Sequence, residues 1–138
     1  MTTHLARGTA APFSADFDLG RLAALRRTVA IGARSHGLRG PALEEFLLAV
    51  NEIVSNAVAH GGGRGRLRLW CDEGNRVCCQ VSDDGPGLGW QALARPCPPL
   101  SAEEGRGLWM ARQFCSVSIL PSARGTTVEV SILIPGTS

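Results

Sequence analysis

The sequence has 138 residues and a formal net charge of +2, and a chain of this length is sufficient for one domain with a core of its own. This small positive charge argues against nucleic-acid binding, which usually shows a clustered basic stripe and a pI above about 9. A metal site is not expected either, because no C-x-x-C pair occurs among the cysteines, which are Cys71, Cys78, Cys79, Cys97 and Cys115.

The termini and the hydropathy pattern predict where the protein resides. Residues 1–10 predict a flexible leader, and residues 1–138 are expected to form a single domain. The leader lacks the apolar core of about 7 to 15 residues that a signal peptide contains. The sequence contains no run of roughly 18 apolar residues, so no membrane span is predicted. We therefore expect a cytoplasmic protein with reduced thiols and no membrane partner.

The first half of the chain predicts a short strand and two helices. "PFSADF" at 12–17 is typical of a strand, and the amphipathic pattern from Leu19 to Arg34 predicts a helix. Pro41 suits the first turn of a second helix, which the glycines at 61–63 would end. The predicted core stripe of the first helix is Leu19, Leu22, Ala23, Leu25, Val29, Ala30 and Ala33. That of the second is Leu43, Phe46, Leu47, Val50, Ile53, Val54 and Ala57.

A hairpin follows, because two alternating segments flank the Gly74-Asn75 pair. Leu67, Leu69 and Cys71 would share one face of the first strand, and the second strand would place Val77, Cys79 and Val81 on the same side. The same alternation turns Asp83 inward. A carboxylate in that position costs several kcal/mol unless it has a partner, so Asp83 needs one.

The remainder of the chain predicts a loop, a helix and two strands. Residues 88–104 contain three prolines and are typical of a lid-like loop, and the glycine pair Gly105 and Gly107 opens a helix. Val117 to Ile119 and Val128 to Ile134 predict strands. This order predicts an α+β fold, a two-layer sandwich of helices on a mostly antiparallel sheet of four or five strands.

Each polar motif, taken alone, has an ordinary explanation. Glu52 and Asn56 share a helix face and can point at one object, but they also fit a polar helix edge. "DDGPG" at 83–87 fits a strand-ending turn capped by aspartate. Gly105 and Gly107 lie where a helix N-terminus favours an anion, although glycines there are usually plain turn residues.

The order of the motifs is more specific than any one of them. E-x-x-x-N, D-x-G-x-G, G-x-G and "GTT" at 125–127 follow one another along the chain. In this arrangement the sequence resembles the GHKL ATP-binding fold from about Asp16 to Pro135. Within that superfamily it is similar to the small anti-sigma factor serine/threonine kinases of bacterial partner-switching systems, through "NEIVSNAVAHG" and "GRGLWMARQFC".

The resemblance implies a nucleotide site built on these motifs. Glu52 would be the general base, Asn56 would ligate Mg²⁺, and Asp83 would accept the adenine amino group of ATP. The other implied nucleotide-binding residues shape the adenine pocket, contact phosphates or support the base: Gly85 and Gly87; Gly105, Arg106 and Gly107; and Thr126 and Thr127.

The same resemblance implies the function and the partners. We expect a kinase that sequesters an RNA polymerase sigma factor and phosphorylates a STAS-domain anti-anti-sigma protein, with a homodimer as a further expectation. The alternative is a non-catalytic nucleotide-binding module that only docks a partner; the intact Glu52 favours the enzyme. A phosphoacceptor histidine is not expected, because neither His4 nor His36 lies in a long helical hairpin. Trp70 fits either a partner-binding patch or a solvated sheet face.

Overall fold

The computed structural model describes residues 12–60, 63–85, 103–122 and 125–135. Within these ranges the helices and strands follow one another in the order that the sequence predicts. A 3-10 turn at Leu19–Arg21 joins the first strand to the first helix. The other elements in chain order are β1 (Phe13–Asp18), α1 (Leu22–Ser35), α2 (Gly40–His60), β2 (Arg64–Cys71), β3 (Arg76–Asp83), α3 (Glu103–Phe114), β4 (Ser116–Ser122) and β5 (Gly125–Leu133).

The strands form one antiparallel sheet in the order β1-β2-β3-β5-β4. Strands β3 and β5 pair in the sheet although they are distant in sequence, and α3 and β4 lie between them along the chain. Helices α1 and α2 pack on the face of the sheet that carries Leu67, Leu69, Val81 and Val130. The predicted α+β sandwich on an antiparallel sheet is confirmed, with five strands.

Helix α2 supplies much of the core. All residues of its predicted stripe are buried or half-buried, and the Phe46 side chain has no exposed surface. The helix ends at His60, before the predicted glycine stop. None of the helices in the described part of the chain has the length and apolar character needed to cross a bilayer.

Helix α1 differs from the predicted pattern at its start. Leu25, Val29 and Ala33 are buried as expected, but the predicted core residues Leu19 and Ala23 are exposed, so the prediction is wrong for these two. Leu19 lies in the 3-10 turn, which advances at three residues per turn and is out of phase with the α-helix. Ala23 is two residues before Leu25, about 200° away around the helix.

The turn between α1 and α2 depends on backbone conformations that glycine adopts without strain. Gly37 has φ 113° and Gly40 has φ 59°. Between them, Leu38 is fully buried and its N–H donates to the Ala33 carbonyl at 3.1 Å. The Arg39 guanidinium donates to the Arg34 carbonyl at 2.9 Å. These bonds satisfy the last carbonyls of α1, so the α1–α2 angle is fixed locally.

The β2–β3 hairpin turns where the Gly74-Asn75 pair predicts. Asn75 has φ 64°, and Asp72 Oδ1 accepts from the N–H groups of Gly74 at 2.9 Å and Arg76 at 3.0 Å. Arg76 then reaches across the sheet, donating to Ser131 Oγ at 3.2 Å and Ser116 Oγ at 2.9 Å. One side chain thus joins β3, β5 and β4 at the end of the sheet where the hairpin lies.

The described cysteines are free thiols, and Cys78, Cys79 and Cys115 are buried. Burial raises the pKa of Cys78 to about 12 and that of Cys115 to about 11, and it raises the pKa of Cys79 further still. Cys78 points to the sheet face opposite Cys79 and is nevertheless buried. Cys79 and Cys115 belong to the hydrophobic core, and the three thiols with raised pKa values are poor nucleophiles. Cys97 lies outside the described residues.

Truncation of Phe46 tests the assignment of the core to α2. Phe46→Ala should lower the free energy of unfolding by about 3 to 5 kcal/mol, since the substitution leaves a cavity between α2 and the sheet. Ile31→Ala, at a helical position that is 63% exposed, is the matched control and should change it by less than about 0.5 kcal/mol. Urea denaturation measures both values, and equal losses would contradict the assignment.

Candidate functional site

Glu52 and Asn56 lie on the flank of α2 that faces α3. Each is half-buried, beside the apolar stripe rather than within it. Glu45 shares this flank, being seven residues before Glu52, and its carbonyl accepts from Cys115 Sγ at 4.0 Å. Because Cys115 follows directly after α3, the end of α3 lies beside the turn of α2 that contains Glu45. Burial raises the pKa of the Glu52 carboxyl.

The beginning of α3 carries the glycine pair. The helix begins at Glu103, so Gly105 lies in its first turn, where backbone N–H groups have no helical acceptor, and Gly107 lies just after that turn. Since α3 packs along α2 with its C-terminal end beside Glu45, an antiparallel course carries its first turn toward Glu52 and Asn56. The side chain of Arg106 lies outside the described part of the chain, so its phosphate contact stays a prediction.

Asp83 ends β3 with its carboxylate half-buried. Burial raises its pKa, the neighbouring Asp84 raises it further, and the Gly85 N–H, which donates to Asp83 Oδ1 at 2.8 Å, lowers it. The aspartate therefore caps the strand-ending turn, as the simpler interpretation proposed, and also lies on the helix-facing side of the sheet. One function does not exclude the other, because a carboxylate has a second oxygen to offer a ligand.

The two threonines implied to support the base differ in position. Thr126 pairs with Asp83 across β3 and β5 and is 4% exposed, and its Oγ1 finds no hydrogen-bond partner among the described residues. Thr127 points to the opposite face, where its hydroxyl lies 2.9 Å from Ser82 Oγ. The structure thus brings Thr126, and not Thr127, to the side of Asp83.

The unpartnered Thr126 hydroxyl is an observation that favours a ligand. A buried hydroxyl without a hydrogen bond costs about 1 to 3 kcal/mol, so such groups usually have a water or ligand partner. Next to Asp83 it provides both a donor and an acceptor beside a carboxylate. An adenine ring offers an amino donor and ring-nitrogen acceptors at adjacent positions, so these two residues fit its edge.

Gly125 is a positioning residue that the sequence interpretation did not single out, although it belongs to the "GTT" motif. A Cβ atom at this position would collide with the Asp83 carbonyl oxygen and lie 2.7 Å from Asp84 Cα. Only glycine lets β5 approach the end of β3 this closely. The glycine of the "GTT" motif could have indicated this position, but the reason that glycine is needed there is a contact between strands that are distant in sequence.

A polar cavity of about 390 Å³ opens beside Asp83, within the usual size range of small-molecule sites. Phe17 and Gly65 form part of its wall, and the described residues that line it do not include Glu52 or Asn56. The other lining residues are mostly charged: Asp16, Asp18, Arg21, Arg64, Arg66 and Asp84. The cavity gives access to Asp83 from the side of β1 and β2.

Metal binding by protein groups alone has no support in the described ranges. No group of three or more histidine, cysteine, aspartate or glutamate side chains there could hold an ion. Mg²⁺ commonly binds through one or two protein oxygens together with phosphates and waters. The Asn56 amide oxygen therefore fits a metal that arrives with a nucleotide. Gly87 and most of the predicted lid, residues 88–102, lie outside the described residues.

Comparison with known proteins gives a family match over most of the chain. Residues 14–132 match the family model described as the histidine kinase-like ATPase domain, which belongs to the GHKL superfamily. This match implies ATP binding. No curated protein matches the sequence significantly.

Several solved structures that share the fold are histidine kinases or histidine kinase domains. The histidine kinase domain of an Erythrobacter litoralis blue-light activated histidine kinase aligns with a TM-score of 0.55 at 20% identity, covering 84% of this chain and 59% of that one. The mycobacterial sensor histidine kinase MprB aligns with a TM-score of 0.53 at 17% identity, and the alignment covers 87% of this chain and 97% of that one. The histidine kinase domain of the E. coli osmosensor EnvZ aligns with a TM-score of 0.50 at 21% identity, and the alignment covers 95% of this chain and 94% of that one.

A longer form of the blue-light kinase aligns at 0.54 and 16% identity, and this chain covers 41% of it. The present chain thus spans less than two thirds of both Erythrobacter litoralis chains. At these identities the similarity establishes the fold alone.

Replacement of Asp83 tests its contact with adenine. Asp83→Asn should weaken ATP binding by roughly 10- to 100-fold, as expected when a charge-assisted hydrogen bond of about 1.5 to 3 kcal/mol is lost. Inosine triphosphate, which lacks the amino group, should bind the wild type and the variant about equally. Calorimetry measures each affinity, and the exposed Asp84→Asn is the matched control. An unchanged preference for ATP in Asp83→Asn would refute the contact.

Replacement of Gly125 tests the strand approach. Gly125→Ala should weaken ATP binding about tenfold or more and destabilise the fold by about 1 to 3 kcal/mol, since the added methyl forces β5 away from Asp83. Gly74→Ala, at the opposite end of β3, is the control; its Cβ would lie 3.4 Å from Asp72 Oδ1. Wild-type affinity in Gly125→Ala, measured by the same calorimetry, would show that the approach does not position the site.

Proposed function

This chain belongs to the histidine kinase-like ATPase domain family, and we propose that it is an ATP- and Mg²⁺-dependent protein serine/threonine kinase that acts as an anti-sigma factor. Its substrate would be a STAS-domain anti-anti-sigma protein. The observation that carries the proposal is Glu52, a half-buried carboxylate with a raised pKa, on the same helix flank as Asn56 and beside α3. A carboxylate so placed is suited to general-base chemistry.

The chemistry assigned to Glu52 suits a hydroxyl acceptor. A serine or threonine hydroxyl is a weak nucleophile at neutral pH, so a base must accept its proton as its oxygen bonds the transferred phosphorus and ADP leaves. A raised pKa brings the Glu52 carboxylate closer to the working pH and makes it a better proton acceptor. A neutral imidazole is already nucleophilic and needs no such base, and this difference supports serine or threonine over histidine.

The remaining assignments divide the nucleotide among three parts of the fold. Asp83 and Thr126 would hold the adenine, and Asn56 would hold Mg²⁺. The backbone N–H groups at Gly105 and Gly107, with Arg106, would contact the phosphates, where the helix dipole favours negative charge. When bound, Mg²⁺ neutralises phosphate charge. The protein contributes mainly position, which is what phosphoryl transfer demands.

Histidine as the acceptor has little support within the described chain. His36 follows directly after α1, in the turn to α2, and burial lowers its pKa. It does not lie on an open helix face where a second molecule could receive or deliver a phosphoryl group. The solved structures compared above are histidine kinases, but at their low identities they do not extend that specificity to this chain.

The partners are proposed only from the similarity of the sequence motifs to those of anti-sigma factor kinases. A sigma factor as the sequestered protein and a homodimer come from the resemblance to anti-sigma factor kinases, and we propose with them the cytoplasmic location that the hydropathy pattern predicts. The alternative is a nucleotide-binding module without catalysis. It is favoured by one observation: Asp83 and Thr126, which we propose hold the adenine, lie together without a contribution from Glu52.

A transfer assay decides between the two functions. With labelled ATP, Mg²⁺ and the STAS-type proteins of the same genome, the wild type should label one of them, and Glu52→Gln should lower the rate by about 10² to 10⁴ while leaving ATP affinity nearly unchanged. The label should survive acid, as phosphoserine and phosphothreonine do and phosphohistidine does not. Asn56→Ala, in contrast, should impair both binding and transfer.

The pH profile gives a second readout of the same variant. Because the folded pKa of Glu52 is raised, wild-type transfer should fall with decreasing pH sooner than an ordinary glutamate would require. The residual activity of Glu52→Gln should lack that limb. A wild-type transfer rate in Glu52→Gln would remove Glu52 from the mechanism, and absence of transfer to every STAS-type protein would favour the binding module.

A further inference from the structure

Three large apolar side chains are exposed on α2 and α3. Leu48 is 42% exposed, Met110 is 37% exposed and Phe114 is 43% exposed. Leu48 lies on α2, and Met110 and Phe114 lie one turn apart on α3. We call these three side chains the apolar patch. Exposed apolar groups that cluster are typical of interaction sites, whereas single ones are ordinary.

The contact between the helices places these side chains together. Cys115 Sγ lies against the Glu45 carbonyl, so Phe114, its neighbour, lies beside the turn of α2 that runs from Glu45 to Leu48. Met110 precedes Phe114 by four residues and shares its face of α3. The buried Ala111 and Cys115 form the side of α3 that faces the core, and Met110 and Phe114 flank it toward solvent.

The patch adjoins the proposed catalytic base. Leu48 precedes Glu52 by four residues, so the two side chains share a face of α2 about 5 to 6 Å apart. A protein whose hydroxyl reaches Glu52 must therefore also cover Leu48. The nucleotide residues Asn56 and Gly105 lie on the other side of Glu52, further along α2 and at the start of α3, so the patch stays free when the nucleotide site is filled.

We propose that the apolar patch is the docking surface for the protein substrate, which would insert an apolar side chain there about one helical turn from its phosphoacceptor hydroxyl. This inference rests on the proposed kinase function, because the position of Glu52 defines the occupant. The rim suits a folded protein partner: Glu44, one turn before Leu48, and Gln113, beside Phe114, are exposed polar residues. An apolar centre with a polar rim is the usual anatomy of a protein interface.

Charged substitutions in the patch test the inference through the separation of KM from kcat. In Leu48→Asp and Phe114→Asp, the KM for the STAS-type substrate should rise about tenfold or more, the loss expected for a buried interface anchor. The kcat at saturating substrate and the affinity for ATP should each stay within about twofold of wild type. Ile31→Asp, on α1 and 63% exposed, is the matched control and should change none of these values.

Direct binding distinguishes failure of the docking surface from failure of the kinase function. Calorimetry of the same variants with the STAS-type protein and ADP measures docking without transfer. If the wild type binds but transfers no phosphate, the kinase proposal fails, and weaker binding by Leu48→Asp still supports the patch. Wild-type KM and binding in both patch variants would overturn the inference. Absence of both binding and transfer in the wild type would overturn the two proposals together.

Loss of folding would be recognised separately. Thermal unfolding followed by circular dichroism identifies a variant that no longer folds, and Leu48→Ser and Phe114→Ser then replace the aspartates. These milder substitutions remove the apolar side chains without adding charge. They should still raise KM severalfold, and their failure to do so in folded protein would count against the patch.

Discussion

The close approach of β5 to the end of β3 is the constraint on which the candidate site depends. The backbone at Gly125 lies so close to that of Asp83 that no side chain fits between them. Because residue 125 is glycine, β5 pairs with β3 as far as Asp83, the last residue of β3. That pairing puts the Thr126 hydroxyl opposite the Asp83 carboxylate on the helix-facing side. Strand β3 is the middle strand of the sheet and β5 is its neighbour, and α2, with Glu52 and Asn56, packs on both. The proposed adenine end of the site thus depends on the pairing of β3 with β5, two strands that are distant in sequence.

The site contains groups that the fold by itself disfavours. Burial raises the pKa of both Glu52 and Asp83, so relative to the unfolded chain each favours its protonated form. The stability associated with that form is present at low pH and is lost as pH rises through the raised folded pKa. At neutral pH these carboxylates oppose folding, and the Thr126 hydroxyl, which has no hydrogen-bond partner in the part of the chain that the structure describes, adds to the cost. Such costs are usual at functional sites, where a ligand supplies the missing partners.

The sequence predicted what local periodicity controls. The α2 core stripe and the β2–β3 hairpin follow from spacings within about twenty residues, and both are confirmed. The inward direction of Asp83 followed from strand alternation alone. Leu19 was misplaced because a 3-10 turn shifts the helical phase, which a window of apolar spacing cannot register. Ala23 was misplaced because it lies on the side of α1 opposite Leu25. In the site, the reason for Gly125 and the choice between Thr126 and Thr127 required the pairing of β3 with β5, which no local pattern contains.

Arg76 lies at the opposite end of β3 from the site, and its bonds to Ser131 and Ser116 join three strands there. In a β-sheet, slippage of one strand by a single residue exchanges its two faces completely. A slip of β5 against β3 would turn Thr127 inward and carry Thr126 to the outer surface. The bonds of Arg76 oppose that slip. These bonds, about 24 Å along β3 from Asp83, thus favour the register in which Thr126 and not Thr127 faces Asp83, although Arg76 contacts neither threonine.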